Sequence, residues 1–268
     1  MIAQDNILVV VDSAHSEHLA LDRAVKFAGR QRHSAMTVHV LVGYEGHDLS
    51  DPDHPVEVTR GRDWLSGLLA PLEETGIEFE VRLLWTLDWE KSIIDTARQT
   101  GADVILITQS SAINKKGITD SSWSLLRNSE VPVLTVEPGA PARRENILAA
   151  VNMQTMDEEY EALNRKVLLQ GQALAEFYDA KLHVVNAYQD SEDYPDRDNV
   201  KRVVDLARKD IHVDMGKPEV VIATVADSVQ ADLVIIGTMS RRGVRATLRR
   251  NTSEKIIEQL VVDVLTLN

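Results

Sequence analysis

The chain alternates short, almost wholly apolar runs with longer segments whose apolar positions recur every three or four residues. In the first half the runs are Asn6-Ile7-Leu8-Val9-Val10-Val11-Asp12, His39-Val40-Leu41-Val42-Gly43-Tyr44, Ala102-Asp103-Val104-Ile105-Leu106-Ile107 and Val131-Pro132-Val133-Leu134-Thr135-Val136. They are rich in Val, Ile and Leu and show little alternation. That pattern suits strands covered on both faces, as in a parallel sheet. Between the runs, Leu19 to Ala28, Trp64 to Leu72, Ile93 to Ala97 and Trp123 to Leu126 carry helical spacing. In the second half the same spacing predicts helices around Tyr160 to Phe177, Val203 to Ala207, Val221 to Ala226 and Ile256 to Leu260. Further strands are expected near Glu80–Leu84 and Asp210–Asp214.

The two halves repeat one another. The four apolar runs recur in the same order as Asn146-Ile147-Leu148-Ala149-Ala150-Val151-Asn152, His183-Val184-Val185-Asn186-Ala187-Tyr188, Ala231-Asp232-Leu233-Val234-Ile235-Ile236 and Val262-Asp263-Val264-Leu265-Thr266-Leu267. The offsets are 140, 144, 129 and 131, so the first half carries 15 extra residues between its second and third runs. Drift of this kind is what loops of changing length produce around a constant core. The reading is two tandem domains, residues 1–139 and 144–268, joined through a short segment bearing Pro138, Gly139 and Pro141. Alternating strands and helices imply an α/β fold, doubly wound in each half, with about five parallel strands and four helices. Ligands in such sheets sit at the carboxyl ends of the strands, where strand order reverses. Both halves end in the same apolar strand, and an uncovered edge strand invites pairing. The two are therefore expected to meet as an intramolecular pseudo-dimer.

Composition narrows the classes of partner. The 29 Lys and Arg against 42 Asp and Glu give a net charge of −13, which argues against general nucleic-acid or anionic-membrane binding. No run approaches the ~20 apolar residues of a membrane span, and the first residues lack a secretory leader's basic head and long apolar core. A cytoplasmic location is the expectation. With no cysteine there is no thiolate ligand or cysteine nucleophile.

One segment carries chemistry. After the strand Leu233–Ile236 the sequence reads Gly237-Thr238-Met239-Ser240-Arg241-Arg242-Gly243-Val244-Arg245-Ala246-Thr247-Leu248-Arg249-Arg250-Asn251-Thr252-Ser253-Glu254. These residues, with both Asn-Ile-Leu openings and both Ala-Asp strands, resemble the tandem universal stress proteins, most closely their E-type branch. The resemblance covers nearly the whole chain. It implies a loop of the form Gly, two residues, Gly, nine residues, Gly, then Ser or Thr. In nucleotide-binding members that loop lets backbone amides approach phosphates at a helix N-terminus. Here Gly237 matches the first glycine, Ser240 the second position, Arg250 the third and Asn251 the hydroxyl position; Gly243 matches another glycine common in the family. The family's aspartate after the first strand corresponds to Asn152, and to Asp12 in the other half. In the first half Thr108 and Ser111 replace the first two glycines, so that half reads as a scaffold without a phosphate loop.

The second half packs Arg241, Arg242, Arg245, Arg249 and Arg250 into ten residues of an acidic chain. Such a cluster binds phosphate or carboxylate through charge-assisted hydrogen bonds, or else lies solvated and ion-paired on the surface. No aromatic residue interleaves the arginines to stack bases, which disfavours RNA. The candidate nucleotide- or anion-binding set is Asn152, Gly237, Ser240, Arg241, Gly243, Arg250, Asn251 and Thr252. Arginine in place of a glycine obstructs close backbone approach, so ATP is expected to bind weakly or not at all.

Other candidates have simpler readings. His15 and His18 share a helix face but lack a third ligand. His47, Asp48, Asp51, Asp53 and His54 match no calcium loop and read as a solvated segment. His39 and His183 occupy equivalent strand starts, which points to a structural role. Trp64, Trp85, Trp89 and Trp123 all fall in the first half, as core or as the lining of an apolar pocket. No nucleophile elbow, zinc-protease motif or full Walker loop is present. What the resemblance implies is a non-catalytic stress-response protein that acts by binding a ligand or partner. The alternatives are a nucleotide switch or slow ATP hydrolase using the second half, and a carrier of an apolar small molecule.

Overall fold

The computed structural model describes residues 6–13, 17–29, 37–45, 62–86, 88–109, 111–112, 115–116, 120–154, 157–238 and 252–268. The first half runs β1 (Asn6–Asp12), α1 (Leu19–Ala28), β2 (Thr37–Glu45), α2 (Arg62–Thr75), β3 (Glu78–Thr86), α3 (Trp89–Thr100), β4 (Val104–Thr108), a small hairpin of β5 (Ser111–Ala112) and β6 (Lys115–Lys116), α4 (Asp120–Asn128) and β7 (Val133–Val136). The second runs β8 (Asn146–Val151), α5 (Glu158–Tyr178), β9 (Lys181–Tyr188), α6 (Arg197–Lys201), β10 (Ile211–Met215), α7 (Pro218–Ser228), β11 (Leu233–Gly237), α8 (Thr252–Gln259) and β12 (Asp263–Leu267).

Ten strands form one sheet in the order β10-β9-β8-β11-β12-β7-β4-β1-β2-β3. Each half contributes five parallel strands, and strand order reverses between β1 and β4 and between β8 and β11. The halves meet where β12 lies antiparallel to β7, pairing Leu265 with Leu134. Unbroken apolar runs are explained by helices on both faces. Ile7, Val9 and Val11 of β1 pack towards α1, α2 and α5, whereas Leu8 and Val10 pack towards α3, α4, α7 and α8.

Local chemistry sets the element ends. The Asp88 carboxylate accepts from Lys91 N at 3.1 Å to start α3, which stops at Gly101 with φ 63°. Asp157 caps α5 through Glu159 N at 2.9 Å. The repeated Ala-Asp pair has a structural explanation. Asp103 accepts from Asn6 N at 2.9 Å, and Asp232 accepts from Glu145 N at 2.5 Å and Asn146 N at 3.1 Å. Each carboxylate ties the start of its half's first strand to the neighbouring strand.

One expectation fails. Val203, Val204, Leu206 and Ala207 are not helical; α6 ends at Lys201 and the chain continues through turns to β10. Val204 is buried and Val203 and Leu206 are half-buried from this irregular path, so the apolar spacing reflects burial without a helix. The first half fills the corresponding connection with the 14-residue α2.

The seam between the halves is charged as well as apolar. Asp263, fully buried at the start of β12, is shared by Arg144 and Arg23 and also accepts from Glu137 N at 3.0 Å. Buried Glu254 pairs with Arg127 across the same seam. The Asn268 side chain donates to Leu126 O at 3.1 Å and Ser129 O at 2.6 Å. Among the described residues, no helix is long and apolar enough to cross a membrane.

Candidate functional site

A cleft of about 480 Å³ opens in the second half at the carboxyl ends of β8, β9 and β11, beside the strand-order reversal. Its walls include Asn152, Tyr160, Asn164, Ala187, Pro218, Ile222, Gly237 and the first turn of α8 at Thr252 and Ser253. The N-terminus of α8 turns its partial positive charge towards this space.

The chain leaving β8 is held by amides. The Asn164 side chain accepts from Asn152 N at 3.0 Å and donates to Asn152 O at 2.7 Å. Asn186 accepts from Met153 N at 2.7 Å. Gln154 Nε2 donates to Ala187 O at 2.6 Å, while its Oε1 is buried without a hydrogen-bond partner among the described residues. An unpaired buried acceptor is destabilising by about 1–3 kcal/mol until a donor reaches it.

Of the residues picked out from sequence, Asn152, Gly237 and Thr252 are brought together in this cleft. Gly237 has a packing reason to be glycine: a Cβ there would stand 2.6 Å from the Leu163 side chain of α5. Ser240, Arg241, Gly243, Arg250 and Asn251, with Arg242, Arg245 and Arg249, lie outside the described residues. Gln154, Asn164, Ala187 and Pro218 were not picked out. Asn164 leaves a trace in the sequence, as a polar residue on the buried stripe of α5; Gln154 leaves none.

The first half is built differently at the same end. Thr108, in the position of Gly237, accepts from Ala20 N at 3.0 Å and so ties β4 to the first turn of α1. Gly43 and Trp89 correspond to Ala187 and Pro218 of the cleft. The Trp89 ring sits directly on Gly43, with ring carbons 1.6, 2.1 and 2.5 Å from where a Cβ would stand. An indole therefore occupies the volume that forms part of the open cleft in the other half. Ser111 falls in β5, and Asp12 closes β1.

The remaining candidates separate. His18 lies edge-on to Trp64 at 5.8 Å, whereas His15, His47, Asp48, Asp51, Asp53 and His54 fall outside the described residues. Among the described residues no group of His, Asp or Glu could hold a metal ion. His39 sits 3.3 Å from Glu80 on the neighbouring strand. His183 lies 3.2 Å from His212 and 3.9 Å from Asp210. Burial, then the charge of Lys181 and the second ring, lowers the His183 pKa to about 4 against the pull of Asp210; burial lowers that of His212 too. The tryptophans are spread over both faces of the sheet. Trp64 packs with the α1 face, Trp89 and Trp123 with the opposite face, and Trp85 is 62% exposed on β3.

A paired, doubly wound α/β sheet with a cleft at the strand-order reversal defines the fold class. The sequence pattern of the Universal stress protein family matches residues 4–137 and 205–268, and the chain belongs to that family. It is similar to universal stress protein E of Photorhabdus laumondii, 26% identical with 100% of this chain and 96% of the relative covered. Universal stress protein E of Escherichia coli K12 is 27% identical, covering 100% and 95%. Among solved structures, a functionally unknown protein from Pseudomonas aeruginosa PAO1 aligns with a TM-score of 0.79 at 26% identity, over 99% of this chain and 93% of that one. A universal stress protein from Archaeoglobus fulgidus DSM 4304 aligns at 0.73 and 18% identity, over 97% and 98%, and shares the fold.

Proposed function

We propose that this protein is a non-catalytic cytoplasmic stress-response protein that binds a small phosphate-bearing ligand in the second-half cleft. The first half serves as scaffold. The observation that carries this reading is the asymmetry between equivalent positions. Trp89 stands on Gly43 in one half, while Ala187 and Pro218 border an open cleft in the other. The described cleft wall offers amides, hydroxyls and a helix N-terminus, a set suited to holding an anion rather than to moving protons. The arginine-rich segment joins β11 to α8, both of which border the cleft.

Transplanting the plug tests this. Pro218→Trp with Ala187→Gly recreates the first-half pair in the second half. Calorimetry with inorganic phosphate, AMP and ATP is expected to show binding to the wild-type chain that the plugged variant loses. Phosphate release from ATP is expected to stay at background. Binding that survives the plug would place the ligand elsewhere, and steady turnover of ATP would overturn the non-catalytic reading.

A further inference from the structure

Far from the cleft, towards the amino ends of β1, β4 and β11, the seam holds two adjoining cavities that share Arg23, Phe27 and Tyr178. The inner one, about 40 Å³, is walled by apolar side chains from both halves, among them Leu106, Leu134, Leu174 and Leu265. The outer one, about 270 Å³, is bordered by Arg23, Lys26, Arg143 and the two aromatic rings. Four cations, Arg23, Lys26, Arg143 and Arg144, line the pair, and no carboxylate does among the described residues. That is a local reversal of a chain whose net charge is −13.

The hydrogen bonding sharpens the point. Arg144, 4% exposed, and Arg23 divide one carboxylate, that of Asp263. Their other partners are main-chain carbonyls: Pro141 O and Asp232 O for Arg144, and Ala140 O for Arg23. Arg143 is drawn outwards to Glu145 at 2.7 Å. Two guanidinium groups at low exposure sharing one anion favour the arrival of another. Burial lowers the Arg23 pKa, against the pull of Asp263.

We infer that the seam binds a small organic carboxylate with a short apolar tail. The carboxylate lies in the outer cavity against Arg23, Lys26 and Arg143, and the tail runs along the Phe27 and Tyr178 rings, which border both cavities, into the inner one. The inner volume has room for about three water-sized groups, so the tail is short, about three or four carbons. Because α1, β4 and β7 supply one wall and α5, β11 and β12 the other, the site exists only in the paired halves.

The test uses the full chain and a series of sodium carboxylates from acetate through butyrate and hexanoate to decanoate, with hexylamine hydrochloride as the charge-reversed control. Calorimetry is expected to show affinity rising at least tenfold from acetate to butyrate and then levelling, with hexanoate gaining little more and no binding of hexylamine. Lys26→Glu, at an exposed position, is expected to weaken hexanoate at least fivefold. Leu134→Phe is expected to abolish the dependence on tail length; should that variant not fold, Lys26→Glu still decides. No saturable binding, equal binding of hexylamine, or indifference to Lys26→Glu would overturn the inference.

Discussion

Gly237 and Arg250 match two glycine positions of one family loop by resemblance, and the sequence keeps one glycine and replaces the other. Gly237 is constrained by the Leu163 side chain, a contact between β11 and α5 that holds whether or not a ligand is present. By the resemblance read from sequence, Arg250 stands in place of a glycine, where a bulky cation is expected to obstruct close backbone approach while still attracting negative charge. Ser240→Gly with Arg250→Gly is therefore expected to raise ATP affinity at least tenfold over that of the unmodified chain, measured by calorimetry. No gain would move attention to Asn152 and the end of β8. Asn152 and Gly237, which both border the cleft, could be picked out because the resemblance places them after the first and fourth strands of the half. Gln154 was not, because its significance lies in a hydrogen bond from its side-chain amide to Ala187 O, 33 residues away, and no local pattern encodes that pairing.

At the scale of elements, the apolar runs were readable because strands buried on both faces leave no room for polar alternation. After Lys201 the closely spaced apolar residues Val203, Val204, Leu206 and Ala207 resemble a helix face, yet the chain there follows turns from which Val204 is buried. Trp89 could be counted from sequence, but its placement over Gly43 depends on α3 crossing the end of β2. The β9–β10 pair carries a titration that the repeat only hinted at. His183 is held neutral, its pKa lowered from an unfolded value near 6.5 to about 4. The unfolded chain thus binds more protons between those values. The stabilisation is complete above pH 6.5 and is lost as pH falls from 6.5 towards 4. At about 1.4 kcal/mol per pKa unit this amounts to roughly 2–4 kcal/mol. Urea unfolding at stepped pH is expected to show that decline, and His183→Leu to flatten it; an unchanged slope in the variant would assign the acid sensitivity elsewhere.

At the scale of the molecule, magnitudes separate two kinds of ion pair. Arg98, 58% exposed at its side chain, reaches Asp95 and Glu130 at 3.6 and 3.7 Å on the surface. Its removal should change stability by less than about 1 kcal/mol. Asp263 is wholly buried between Arg23 and Arg144. Asp263→Ala leaves two buried guanidinium groups without their anion and is expected to destabilise by about 3–5 kcal/mol. Denaturant midpoints of the two variants, Arg98→Ala and Asp263→Ala, provide the comparison. Equal effects would mean that the seam relies on its apolar contacts alone.

The antiparallel pairing of β7 with β12 also changes how the protein answers to its own abundance. Two free chains that join along such strands do so in proportion to how many are present, and separate again on dilution. Here the second strand is already attached to the first, so each molecule supplies its partner at an effective concentration fixed by the connecting chain. A cell holding few copies and a cell holding many contain the same fraction of completed sheet, with a seam in every molecule.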